Sequence, residues 1–148
     1  MEQKVILHVE DNPDDVALTL RALKKAQLAN EVVVVRDGVE AWEYLMATSA
    51  FAVRGTDMMP QVILLDLKLP KLDGLGLLRR IRGNERTKLL PVVILTSSIE
   101  ENDRIESYGL GANSYVPKAV DFNQFVDTAT RLGLYRLELN EPPPIRRT

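Results

Sequence analysis

The sequence predicts an α/β domain in which strands and helices alternate. Two observations carry this. Five short, strongly apolar runs recur along the chain, and the gaps between them hold apolar residues at helical spacing. The three middle runs are nearly continuous Val, Ile and Leu. That pattern suits parallel strands covered on both faces. Alternation of this kind implies βαβ units, right-handed crossovers and a sheet between helices.

The expected strands are KVILHV (4–9, β1), EVVVVR (31–36, β2), QVILLD (61–66, β3), PVVILT (91–96, β4) and SYVP (114–117, β5). The first helix, α1, opens at Pro13 and Asp14, because proline suits the first helical position. It carries Val16, Leu20, Leu23 and Lys24 and ends near Leu28. The second, α2, runs from 38 to 48, with Val39, Trp42, Leu45 and Met46 as its core face. The third, α3, runs from Asp73, its N-cap, to Arg82, with Gly83 as the expected stop. The fourth, α4, spans Ser98 to Gly109, and the fifth, α5, starts at Asp121 and passes Leu132. One connection is long, SAFAVRGTDMMP (49–60), and NEPPPIRRT at the end cannot continue a helix.

The 148 residues suit one domain with an ordinary core. A net charge of -2 gives no general attraction to nucleic acid or anionic membrane. The absence of cysteine excludes disulfides and thiolate metal sites. No signal peptide or membrane-spanning run is present, so a cytoplasmic location is expected.

The stretch VILHVEDNPDD (5–15) runs a buried strand into four acids. Like charges at about 5 Å repel by about 3 kcal/mol per pair at an effective dielectric near 20. A cation is the natural compensation. Ligands of open α/β sheets sit beyond the carboxyl ends of the strands, where strand order reverses. Glu10 and Asp11 follow β1, and Asp66 ends β3. Hard carboxylate oxygens of this kind suit Mg²⁺, which commonly shares its sphere with phosphate. Thr96 ends β4 with a hydroxyl and Lys118 follows β5. Such a crevice can hold a phosphoryl group, and Asp66, the lone acid of an apolar strand, is the candidate nucleophile.

The segments VEDNPDD, LLDLKLPKLDGLGLLRRIR, PVVILTSS and GANSYVPK resemble the receiver domain of two-component response regulators. The likeness spans residues 4–135 and is greatest to the single-domain regulators that accompany phytochrome-type and PAS-domain sensor kinases. It implies a flavodoxin-like, doubly wound, five-stranded parallel sheet of order 2-1-3-4-5 with five helices. It implies a single receiver domain over 1–148, with 136–148 as an extension. Asp66 matches the phosphoacceptor. Asp11 and Asp66 match the metal ligands, Glu10 acts through a metal-bound water, and Lys68 gives a backbone carbonyl. Thr96 matches the switch hydroxyl, Tyr115 the switch aromatic and Lys118 the phosphoryl-pairing lysine. Lys68 and Ser98 match positions that tune the phosphoryl lifetime.

The resemblance further implies a histidine kinase partner, an α4–β5–α5 output surface, and a non-enzyme that catalyses only its own phosphorylation and dephosphorylation. A homodimer is expected through that surface and Leu134, Tyr135, Leu137 and Leu139. Ala119 departs from the family, which has proline after the lysine.

Two other classes stand beside this reading. A haloacid-dehalogenase-like phosphatase needs a second Asp two residues after the first, and here that position is Lys68. A pseudo-receiver would keep the fold without phosphorylation. Asp14 and Asp15 read as acids complementing the α1 dipole. His8 reads as a packed, hydrogen-bonded strand residue, and Trp42 as core. Glu100, Glu101, Asp103 and Glu106 read as a solvated face of α4.

Overall fold

All five strands pair in parallel, in the order β2-β1-β3-β4-β5, in the computed structural model of the chain. The structure describes residues 5–25, 31–48, 51, 59–97, 100–118, 127 and 131. The strands are β1 Val5–Val9, β2 Glu31–Val35, β3 Val62–Leu65, β4 Val92–Thr96 and β5 Ser114–Pro117. The helices are α1 Pro13–Lys25, α2 Gly38–Met46, α3 Gly74–Gly83 and α4 Glu101–Gly109. This is the flavodoxin-like arrangement that the resemblance implies. Of the expected α5, Asp127 and Arg131 are described, and both are helical and exposed.

Period-2 alternation sorts the strand side chains onto two faces. Leu7, Val9, Ile63, Leu65, Val92 and Ile94 pack against Ala41 and Leu45 of α2 and Leu77, Leu78 and Ile81 of α3. Ile6, Val62, Leu64, Val93 and Leu95 face the other way, onto Ala22 and Leu23 of α1. Every residue of β3 and β4 is buried, which explains their unbroken apolar runs.

The helix faces differ in detail from the expectation. On α1 the buried residues are Val16, Thr19, Ala22 and Leu23, while Leu20 is exposed. On α2 they are Gly38, Ala41, Tyr44 and Leu45, while Val39 is exposed. Trp42 is half-buried against the larger core, with the Arg80 guanidinium 6.0 Å from its ring centroid. Asp73 caps α3 by accepting from the Gly76 N–H at 2.8 Å. Gly83 is the last helical residue rather than a left-handed stop, and Asn84 beyond it is extended. The left-handed cap belongs instead to α2, at Ala47 with φ 55°. The helix α4 has Glu100 as its N-cap; the expected start at Ser98 lies outside the described residues.

At the end of the sheet away from the acids, the Arg82 guanidinium binds the segments around it. It donates to the carbonyls of Lys88, Leu90 and Gly111 and to Asn113 Oδ1, at 2.7–3.0 Å. This joins the end of α3 to the segments that lead into β4 and β5.

Candidate functional site

The strand order reverses between β1 and β3, so their carboxyl ends flank the crevice where an open α/β sheet receives its ligand. Val9 pairs with Leu65, which makes Glu10 and Asp66 the next rung. Backbone bonds fix that rung. The Glu10 N–H donates to the Val35 carbonyl at 3.0 Å and the Asp66 N–H to the Val9 carbonyl at 3.1 Å. Behind it, the Gly74 N–H donates to the Leu67 carbonyl at 2.9 Å, anchoring the start of α3. On the far side, the Lys118 N–H donates to the Thr96 carbonyl at 2.7 Å and sets the lysine beyond β5.

The carboxylates of Glu10, Asp11 and Asp66 offer oxygens within 4.8 Å of one another. Glu10 and Asp66 are buried, at 1% and 5% exposure, and Asp11 is exposed. The Lys118 ammonium lies 2.6 Å from Glu10 Oε1, 2.7 Å from Asp15 Oδ2 and 3.4 Å from Asp66 Oδ2. The contacts with Asp15 and Asp66 are hydrogen bonds; that with Glu10 is an ion pair without hydrogen-bond geometry. Asp66 Oδ1 is buried and makes no hydrogen bond among the described residues.

Burial pushes the Glu10 carboxyl up to about 7, even though Lys118 pulls it down, and the Asp66 charge adds to the rise. Burial alone would lower the Lys118 ammonium, but the Asp15 and Glu10 carboxylates in contact with it and the Asp66 charge hold it above its ordinary range. One ammonium thus serves three acids, and each extra negative charge in the crevice favours its protonated form.

Thr96 is fully buried at the end of β4. Tyr115 pairs with Ile94 on β5 and packs half-buried against the core on the α2–α3 face. Lys68 is exposed, two residues beyond Asp66. Ser98 and the Lys118–Ala119 bond lie outside the described residues, as do Leu134, Tyr135, Leu137 and Leu139. The structure therefore brings Glu10, Asp11, Asp66 and Lys118 together and sets Thr96 at the end of the neighbouring strand.

Two residues depart from the sequence expectation. Asp15 is no simple dipole acid, because it holds Lys118. No sequence signal marked it: Thr19, which shares its helix face one turn on, is buried in the structure but is not an apolar residue that a stripe would reveal. His8 is buried as expected, yet neither ring nitrogen has a hydrogen-bond partner among the described residues. Burial lowers it to about 4, which keeps the ring neutral.

A parallel sheet of this order with an acid rung and a lysine at its switch point defines a receiver domain. The chain belongs to the response regulator receiver domain family, whose model matches residues 6–130. It is 40% identical over 116 residues to the response regulator Rcp1 of Synechocystis sp., covering 78% of this chain and 77% of that protein. The phosphorylated cyanobacterial phytochrome response regulator RcpA superposes with a TM-score of 0.86 at 37% identity, covering 96% of this chain and 99% of that one. The bacteriophytochrome response regulator AtBRR gives a TM-score of 0.78 at 52% identity, covering 95% of this chain and 100% of that one. Rcp1 is also known as a Mn²⁺-bound form, at a TM-score of 0.84.

The donor set fits a divalent cation. Three carboxylates converge, all hard oxygen donors, and Asp66 Oδ1 is an orphaned buried acceptor. A buried polar atom without a partner costs about 1–3 kcal/mol, which a bound cation offsets. No helix of the described residues is long and apolar enough to cross a membrane.

Proposed function

We propose that this chain is a response regulator that takes a phosphoryl group from the phosphohistidine of a sensor kinase onto Asp66 in a Mg²⁺-dependent reaction. The observation that carries the reading is Asp66 itself. It is a buried carboxylate at the switch point, with one oxygen unpartnered among the described residues and the other 3.4 Å from Lys118 Nζ.

The Asp66 carboxylate attacks phosphorus in line. The O–P bond forms as the P–N bond to the kinase histidine breaks, and the imidazole leaves with the electron pair. Lys118 holds the equatorial oxygens as charge spreads over them. Asp11, Asp66 and the Lys68 carbonyl would hold the metal, with Glu10 acting through a water; the bound ion supplies countercharge for the transferring oxygens. Catalysis is confined to the chain's own phosphorylation and dephosphorylation, and Lys68 and Ser98 tune the lifetime.

The new group brings a charge of about -1.5 to -2 and three acceptor oxygens. The Thr96 hydroxyl moves toward it, and Tyr115 turns into the space vacated. That changes the α4–β5–α5 surface for protein contact. Shifting such an element from 1:99 to 99:1 takes about 5.5 kcal/mol of differential binding. A charge-assisted hydrogen bond or two and one ion pair can supply this. Ile105 and Tyr108, three apart on α4, are 60% and 50% exposed and suit a protein partner on that surface.

The receiver spans about residues 4–135, with 136–148 as an extension. Similarity to RcpA and AtBRR supports a phytochrome-type kinase as the partner. The apolar Leu134, Tyr135, Leu137 and Leu139 of the sequence support a homodimer through α4–β5–α5 and the extension.

The test is mass spectrometry after incubation with Mg²⁺ and acetyl phosphate. One phosphoryl group is expected on the wild type and none on Asp66→Asn. Labelling of Asp66→Asn equal to wild type overturns the assignment.

A further inference from the structure

Lys118 has three N–H donors, and its three near neighbours are unequal. Asp15 is at 2.7 Å in hydrogen-bond geometry, and Glu10 is at 2.6 Å as an ion pair. Asp66, the nucleophile, is the most distant at 3.4 Å. The ammonium is thus drawn off Asp66 toward the two accessory acids. Those two acids are differently bound. Glu10 is buried at the end of β1, its Oε2 accepting from the Asn12 N–H at 3.3 Å. The Asp15 side chain stands at the crevice edge with 31% exposure, so water can solvate it as soon as it releases the lysine.

We infer that Asp15 is a positioning residue, which holds the Lys118 ammonium away from Asp66 in the unphosphorylated protein and yields it when a phosphoryl group arrives. This rests on the phosphoacceptor reading. The arriving group outcompetes Asp15 because it carries more charge and sits on Asp66 beside the lysine. Asp15 therefore sets a threshold: it favours the free state of the site, and its loss favours the occupied state.

The position of Asp15 fits this task. Asn12 Oδ1 accepts from the backbone N–H groups of Asp14 and Asp15 at 2.9 and 3.3 Å and caps α1. The Asp15 carboxylate is not needed for the cap and is free to reach Lys118. Asp14, its neighbour, shares the helix end but is exposed. Asp14→Asn removes the same charge from the same dipole, so it is the control for a merely electrostatic or helical effect.

The experiment compares wild type, Asp15→Asn, Asp15→Glu and Asp14→Asn, each with Mg²⁺. Labelling by acetyl phosphate is followed by mass, and beryllofluoride binding by Trp42 fluorescence. Asp15→Asn is expected to label faster and bind beryllofluoride more tightly, each by about fivefold, the worth of one charge-assisted hydrogen bond shared with solvent. Asp14→Asn and Asp15→Glu should stay within about twofold of wild type, since charge at the helix end is screened and the longer acid keeps its charge.

Damage to the fold lowers affinity, so a gain separates release of the lysine from disruption. Equal or slower labelling of Asp15→Asn, or an equal gain in Asp14→Asn, overturns the inference. The Lys118 ammonium signal in ¹H–¹⁵N NMR tests it without any phosphodonor. The signal should be the same in wild type and Asp14→Asn and shifted in Asp15→Asn, where the ammonium turns to Asp66; an unchanged signal in Asp15→Asn overturns it. Failure of the wild type itself to label defeats the phosphoacceptor reading instead.

Discussion

Gly74 stands against the backbone of Asp66 so closely that a β-carbon on it would lie 2.3 Å from the Asp66 carbonyl oxygen. The glycine is required by space, not by backbone angle. It lets the first turn of α3 press on the strand end that carries the candidate nucleophile. Backbone atoms cannot swing aside as a flexible side chain can. Gly74→Ala is therefore expected to cost about 1–3 kcal/mol or more, as overpacking does, and to slow acetyl phosphate labelling through displacement of Asp66. Urea unfolding and labelling rate measured together check this; a variant as stable and as fast as wild type refutes the contact.

His8 and Glu10 lie two residues apart and titrate in opposite senses. His8 is held near 4 by burial, against an ordinary 6.5. Its contribution is complete above pH 6.5 and is lost as pH falls toward 4, because the unfolded chain takes up the proton first. Glu10 is raised by burial to about 7, against an ordinary 4.5. Its contribution is complete below pH 4.5 and is lost as pH rises through 7. Each slope is about 1.4 kcal/mol per pH unit where one proton separates the states. Between pH 4.5 and 6.5 the two oppose each other. In metal-free buffer, relative to wild type, His8→Leu should gain stability on acidification across that window and Glu10→Gln should lose it. Chemical unfolding at several pH values measures both slopes, and parallel curves for all three proteins would contradict the assignment.

The Mg²⁺ response should reside in Asp11. This acid is exposed, so Asp11→Asn removes a ligand without leaving a buried group unpaired. Its metal-free stability should match or slightly exceed wild type, since one repulsion near Glu10 and Asp66 is gone. Wild type should gain about 2.7 kcal/mol at a Mg²⁺ concentration one hundred times its Kd. Asp11→Asn should gain far less at that concentration. Thermal melts over a Mg²⁺ titration decide it; equal shifts in both proteins would move the metal away from Asp11.

The strands and the acids that end them were legible in the sequence because both are local, whereas the order that sets β1 beside β3 and makes the acid rung came from the family resemblance. Buried parallel strands must be apolar throughout, and a strand that ends in an acid ends there visibly, as at Glu10 and Asp66. The Asp15–Lys118 bond was not legible, because it joins residues 103 apart whose approach depends on how α1 lies over β5. Helix faces were legible to within a residue or two. Leu20 and Val39 sit on apolar stripes, yet the packing of α1 and α2 turns them outward and buries Thr19 and Ala41 instead. The stop of α3 misled because Gly83 offers a left-handed cap that the chain does not use, whereas Ala47 adopts one with no glycine to announce it.

Lys118 is the cation that makes the metal-free crevice tolerable. Glu10 and Asp66 are buried beside it, and removing one partner of a buried pair leaves an uncompensated charge worth about 3–5 kcal/mol. Lys118→Met is thus expected to be destabilised by that order at pH 8 without divalent ions. Acidification should return part of the loss as Glu10 takes a proton, and Mg²⁺ should return part at constant pH. Wild type, with its ammonium in place, should show a smaller Mg²⁺ gain than Lys118→Met. Paired melts with and without Mg²⁺ test this, and an equal metal response in both would mean that Lys118 does not share the charge of the rung.

Arg82 carries the strongest structural prediction away from the site. Its planar fork donates to three backbone carbonyls and to Asn113 Oδ1, and burial lowers its pKa. A lysine ammonium has three donors without the fixed spread that these acceptors need. Arg82→Lys should therefore lose most of the benefit, and Arg82→Met all of it, at about 2–4 kcal/mol for several acceptors left unsatisfied. Gly111, at φ +94°, lies against the arginine stem, where an added β-carbon would meet Arg82 Nε at 2.8 Å. Gly111→Ala should consequently be destabilising in wild type and less so in Arg82→Ala, which ends at Cβ and lacks the crowding Cγ, Cδ and Nε. The double-mutant cycle measured by urea unfolding tests this coupling. A purely additive cycle would show that the two residues do not press on each other.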